Sequence, residues 1–268
     1  MTDPFEDLLE PVVPVDPDPR FAAGLRALLE AAFVRPMSGG SMPVTAVQGD
    51  VVYASLWSPD AARAAAFYGS VLGWRISADH RRVEGLGQHL GLWSDSRRTT
   101  FLSHAVTDMD AAIARVRAAG GTAGDAVEEP YGLSAQCVDN QGLPFALHLS
   151  SPGPQPSTFA QGEIVYFTMH VRDSASARAF YGSVFGWTFT PGRVADGWQV
   201  QGPALGFGLQ GGHAEAAVLP MYVVTDVSAA VARVRSAGGT ATDPVQMPYG
   251  ITSDCVDDQG VPFYLGQL

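Results

Sequence analysis

The chain has 268 residues, is 46% hydrophobic and carries a formal net charge of −11. That length predicts about two domains, and the negative charge opposes phosphate backbones and anionic lipids, which argues against nucleic-acid and membrane partners. All 16 basic residues are arginine, so Schiff-base lysine chemistry and a P-loop lysine are excluded.

The chain begins MTDPFEDLLEP, acidic and without the basic start of a signal peptide, and no apolar run approaches the ~18 residues of a membrane span. A cytoplasmic location is expected. Residues 1–18 read as a disordered acidic, proline-rich segment. Residues 19–34 read as an amphipathic helix, capped by Asp18, with Phe21, Leu25, Leu28, Leu29, Ala32 and Phe33 on one stripe. Residues 35–48 form a linker.

From there the chain says the same thing twice. Residues 49–150 contain FYGSVLGW, AGGTA and PYGLSAQCVDNQGLPF; residues 162–268 contain FYGSVFGW, AGGTA and PYGITSDCVDDQGVPF, after a linker at 151–161. Within each copy an alternating strand runs into an aspartate that opens a helix ending at glycine, and this happens twice. Asp60, Asp108, Asp173 and Asp226 are read as N-caps, since a carboxylate accepts the free N–H groups of a first turn. Short strands with Gly-rich turns follow each helix. The expected fold class is α+β: four β-α-β-β-β units forming two modules with cup-shaped sheets, plus the N-terminal helix. Cys137 and Cys255 occupy matching positions and read as small buried core residues.

The layout resembles the vicinal oxygen chelate superfamily of glyoxalase I, bleomycin-resistance proteins and extradiol dioxygenases, in its duplicated actinobacterial glyoxalase-like form. The resemblance is carried by D-x-x-x-A-x-x-F-Y-x-x-V-[LF]-G-W at Asp60–Trp74 and Asp173–Trp187, and by D-x-Q-G-x-P-F-x-L at Asp139–Leu147 and Asp257–Leu265. It implies fold more strongly than chemistry, because the superfamily holds both enzymes and binders.

The resemblance also implies where metal ligands would stand. Those positions hold Tyr53, Phe101 and Ala146 in the first copy and Tyr166, Leu219 and Tyr264 in the second, with a further position near Gly91 and Gly206. None is a histidine or carboxylate, so no metal and no cofactor is expected. Strand alternation puts Ser55 and Trp57 on the face of Tyr53, and Thr168 and His170 on the face of Tyr166; His148 shares the face of Ala146, and His104 faces away. His80, His89 and His213 fall in loops or strand edges. Tyr131, Tyr249, Trp93 and Trp198 are candidate rim residues.

The expected ligand-binding set is therefore Tyr53, Ser55, Trp57, Phe101, His148, Tyr166, Thr168, His170 and Tyr264. Flat rings with a few hydroxyls suit a planar, aromatic or apolar small molecule. The leading reading is a metal-free small-molecule binding protein of bleomycin-resistance type. The first alternative is a metal-independent lyase-, isomerase- or hydrolase-like enzyme with His170, Tyr166 or Tyr264 as acid or base. The second is an interaction protein acting through its N-terminal segment. Monomer and homodimer are both open, as are catalysis, the ligand, and which units pair to close each cup.

Overall fold

A computed structural model describes residues 48–149 and 159–268. The acidic segment, the N-terminal helix and most of both linkers lie outside the described residues. No helix among the described residues is long and apolar enough to cross a membrane.

The first half runs β1 (Val51–Ser58), α1 (Ala61–Leu72), β2 (Arg75–Ile76), β3 (Val83–Glu84), β4 (Leu90–Ser94), β5 (Thr99–Val106), α2 (Met109–Ala118), β6 (Thr122–Ala123), β7 (Val127–Glu129), β8 (Gly132–Val138) and β9 (Pro144–Leu149). The second repeats the order: β10 (Ile164–His170), α3 (Ser174–Phe185), β11 (Thr188–Pro191), β12 (Gly197–Gln201), β13 (Gly206–Gln210), β14 (Ala217–Val223), α4 (Val227–Ser236), β15 (Thr240–Ala241), β16 (Val245–Met247), β17 (Gly250–Val256) and β18 (Pro262–Gln267). The architecture is mixed α+β with curled, half-barrel sheets.

All four capping aspartates accept hydrogen bonds from first-turn N–H groups, Asp60 from Ala62 and Arg63, Asp108 from Ala111, Asp173 from Ala175 and Ser176, and Asp226 from Ala229. Gly73 and Gly186 end α1 and α3 in the left-handed region (φ 78° and 77°), where a side chain would be strained.

One sheet has the order β4-β1-β5-β9-β8-β6, the other β11-β12-β13-β10-β14-β18-β17-β15. The two units within a copy thus share a sheet: β1 pairs with β5, and β10 with β14, both antiparallel. Tyr53 therefore shares a cup with Ala146, through the Tyr53–Ser103 and Ser103–Ala146 pairs. The copies differ at one edge. β2 and β3 form a separate two-stranded ribbon, whereas β11 and β12 extend the second sheet.

One apolar core runs through both halves. Tyr68 of α1 stacks on Trp74 of its own half and meets Tyr222 and Phe263 of the other edge-on. Arg115 donates to the Val184 carbonyl and, in mirror fashion, Arg233 donates to the Val71 carbonyl. Cys137 and Cys255 are buried in this core as unpaired thiols, and burial pushes them up to about 12 and about 11. The helices bury one face of each sheet, so the site candidates belong to the other.

Candidate functional site

Along β1, Ala54 and Leu56 enter the core, and Tyr53, Ser55 and Trp57 face the concave side. The register sets Phe101 opposite Ser55, and its ring stacks on Trp57 with centroids 4.8 Å apart and planes 4° from parallel. Arg97, itself paired with Asp95, lies over the same Trp57 ring at 4.4 Å. Trp93, directly opposite Trp57 on β4, sits at the rim under Arg81. His148 and Tyr131 meet at the far rim, 6.1 Å between ring centres. The first cup thus spends its central aromatic pair on itself: Phe101 is only 6% exposed.

The second cup is built differently. Tyr166, Thr168 and His170 face it from β10, and Tyr264 reaches in from β18. The Tyr264 hydroxyl lies 3.4 Å from His170 Nε2. His170 and Tyr264 border a hollow of about 420 Å³, lined also by Leu219, Thr242, Asp254 and Pro262 among others. Tyr166 projects sideways instead, its hydroxyl donating to Gln199 Oε1 at 3.3 Å. Of the three acid–base candidates, His170 and Tyr264 converge on the hollow and Tyr166 stands beside it.

Burial decides the protonation of these groups. His170 is lowered to about 4, first by burial and then by His213, so it is neutral at neutral pH. Tyr264 is raised to about 12 by burial foremost, with nearby Asp254 adding to the shift and the Thr168 hydroxyl opposing it. Burial likewise raises Tyr53 and Tyr166 and lowers His148. The hollow therefore offers a protonated phenol and a neutral imidazole, which suit hydrogen bonding; an imidazole with so low a pKa is a weak general base.

Two sequence-based placements need correction. Trp198 is not a rim residue: it lies on the helix side of β12, with Arg178 of α3 3.5 Å over its ring. His213 does lie in a loop, between β13 and β14, and its ring stacks on His170 at 3.6 Å and 7°. The counterpart of Gly91 is Gly208, not Gly206, since Gly91 pairs with Ser55 and Gly208 with Thr168. His104 does face away from the cup. It is buried against Phe185 and Trp187, with Nδ1 2.9 Å from the Gly49 carbonyl. Sequence reading passed over Asp254, although its place beside buried Cys255 on an alternating strand puts it on the concave face. His213 carried no periodic signal at all.

Residues 51–148 match the family model of the glyoxalase-like domain. Over most of the chain the fold superposes on solved structures: the Mn(II)-bound glyoxalase from Novosphingobium aromaticivorans (TM-score 0.63, 16% identity, 83% of this chain and 82% of that one) and a catechol 2,3-dioxygenase (0.61, 14%, 82% and 88%). The 2,3-dioxygenase LapB from Pseudomonas sp. KL28 superposes comparably (0.60, 13%, 82% and 92%). Residues 51–148 thus carry a glyoxalase-like domain, and the chain as a whole has the fold of these glyoxalase and dioxygenase structures. At these identities the structural likeness speaks to fold alone, and no curated protein matches the sequence.

A vicinal oxygen chelate fold implies a metal in the cup, but the residues here do not fit one. The ligand positions hold Tyr53, Gly91, Phe101 and Ala146, and Tyr166, Gly208, Leu219 and Tyr264. The two glycines are explained by the tyrosines. A Cβ on Gly91 would stand 2.0 Å from Tyr53 Oη, and one on Gly208 2.6 Å from Tyr166 Oη. In each cup the first-strand tyrosine thus fills the space a carboxylate side chain would need. No group of three or more His, Cys, Asp or Glu side chains that could hold a metal occurs among the described residues.

Proposed function

We propose that this protein is a metal-free small-molecule binding protein of bleomycin-resistance type, taking a planar aromatic or apolar metabolite in its second cup. The observation that carries this reading is the hollow of about 420 Å³ bordered by Leu219, Tyr264 and His170. Two of these, Leu219 and Tyr264, stand at positions the fold family uses for metal ligands. The hollow has the size of a small-molecule site and combines apolar walls with a few polar groups that fix orientation. In the first cup Trp57 and Phe101 are stacked on each other, so their facing surfaces are already occupied.

The test is a titration of the purified chain with a panel of planar aromatic metabolites, followed by tryptophan fluorescence and repeated after chelation. Saturable binding, unchanged by the chelator and at least about tenfold weaker in a Leu219→Trp variant that fills the hollow, supports the reading. No saturable binding across the panel, or binding that disappears with the chelator and returns with one equivalent of a transition metal, overturns it.

A further inference from the structure

We infer that the second cup selects a ligand with a positive charge beside its planar face, a protonated aromatic amine, and that Asp254 is the counter-charge. The inference rests on the binding reading above and adds the charge of the ligand.

Asp254 stands opposite Tyr264 in the β17–β18 register, and both line the hollow. Its backbone is fixed at the sheet edge: its N–H donates to Thr242 Oγ1 at 3.0 Å, and its carbonyl accepts from the Thr242 N–H at 2.9 Å. Its carboxylate, by contrast, forms no salt bridge and accepts no side-chain hydrogen bond among the described residues. The other lining residues are apolar, hydroxylic or, at His170, neutral at neutral pH. Asp254 is thus the one formal charge among the described lining residues. Arg193 acts on Tyr249 and is not in the lining, and Arg235, behind the same edge, is paired with Asp243.

The first cup shows the opposite choice. The residue facing Ala146, as Asp254 faces Tyr264, is Gln136. Its aromatic faces already carry cations, Arg97 over Trp57 and Arg81 over Trp93. A planar cation entering there meets guanidinium groups. In the second cup it meets a phenol face, an imidazole acceptor and a carboxylate, the set that favours a charge-assisted N–H···O bond next to a ring. The net charge of −11 draws cations toward the molecule in general, so the test must isolate Asp254.

Three probes with one ring system do so: 9-aminoacridine (cation), acridine (neutral) and acridine-9-carboxylate (anion), titrated at pH 8 and low salt by their own fluorescence. The expected order is cation, neutral, anion, with about fivefold between the first two. Asp254→Asn should bring the cation's advantage below about twofold and leave acridine unchanged, and Asp254→Lys should invert the order of cation and anion. Both variants should keep the wild-type melting temperature, because the side chain is exposed. Equal binding of the three probes, or a cation advantage that survives Asp254→Asn, overturns the inference and leaves the binding reading standing. No saturable binding by any of the three overturns the inference, and the binding reading then stands or falls on the panel titration above.

Discussion

Tyr181 of the second module donates its hydroxyl hydrogen to Asp139 Oδ2 of the first at 2.8 Å, and both groups are buried. The same bond is made in reverse, more loosely, by Tyr68 and Asp257 at 3.3 Å. The tyrosine comes from the FYGSV block and the aspartate from the D-x-Q-G loop of the other copy, so the two motifs form the joint between modules. Around it, Gln259 bonds both the N–H and the carbonyl of Asp60, and Gln141 accepts from the Asp173 N–H, so each loop grips the start of the other module's first helix. Replacing Tyr181 with Phe leaves a buried carboxylate short of a donor. We expect a loss of about 2 kcal/mol in urea unfolding, and about half that for Tyr68→Phe because its bond is longer. Equal and negligible losses would show that the joint rests on packing alone.

The shared core makes a second prediction. Tyr68 and Trp74 pack on Tyr222 and Phe263, while Phe145 packs on Phe180 and Phe185, so each half buries large rings in the other. Separately expressed halves, cut in the segment 151–157, would each expose a ring cluster of several hundred Å², by the usual aromatic areas, and should aggregate or remain molten. Co-expressed, they should purify as a one-to-one complex with a cooperative melt. A half that melts cooperatively alone would contradict the single-core picture.

The glycines beneath the cup tyrosines predict a mutual constraint. Gly208→Ala puts a methyl group within reach of Tyr166 Oη, and that ring is held by Gln199. The expected cost is about 1–3 kcal/mol, the usual range for overpacking. Gly91→Ala should cost less, because Tyr53 is 39% exposed and can swing outward. The double variant Tyr166→Ala/Gly208→Ala should show a favourable coupling, measurable in a double-mutant cycle. An additive result would mean that ring and glycine do not compete for the same space.

Much of this arrangement was legible in the sequence, and the reason lies in periodicity. The four capping aspartates, the concave set on β1 and β10, and the core role of Cys137 and Cys255 all follow from short-range rules of helix starts and strand alternation. What depended on contacts between distant segments was not legible. The pairing of units within a copy is set by the β1–β5 and β10–β14 ladders, and His213 reaches His170 only because the chain after β13 folds back over β10. Trp198 was misplaced because its face depends on where β12 joins the sheet, and in the first copy the equivalent ribbon meets β4 only through a single Arg82–Gly91 bridge. Within the sequence nothing marks one edge hairpin as sheet and the other as ribbon.

The last prediction concerns pH. His104 is fully enclosed and lowered to about 4 by burial, with its bond to the Gly49 carbonyl opposing the shift. In the unfolded chain a histidine titrates near its ordinary value of about 6.5. Between those values the unfolded state binds a proton that the folded state refuses, so stability falls as pH drops from about 6.5 to about 4 and is flat above that window. A shift of this size corresponds to about 3 kcal/mol. His170, lowered for the same reason but partly exposed, adds a smaller slope in the same direction. Asp139 and Asp257 work the other way, because burial raises them and protonation on the acid side of their shifted values favours the folded state. Urea unfolding of wild type and His104→Gln, which keeps a donor for Gly49, should therefore differ in shape across pH 4–7. The wild type should lose stability toward pH 4 and the variant should lose much less, even where the variant is the weaker protein at pH 7.5. Parallel profiles would mean that His104 is protonated in the folded state, and that the cluster of Phe185 and Trp187 around it admits a charge.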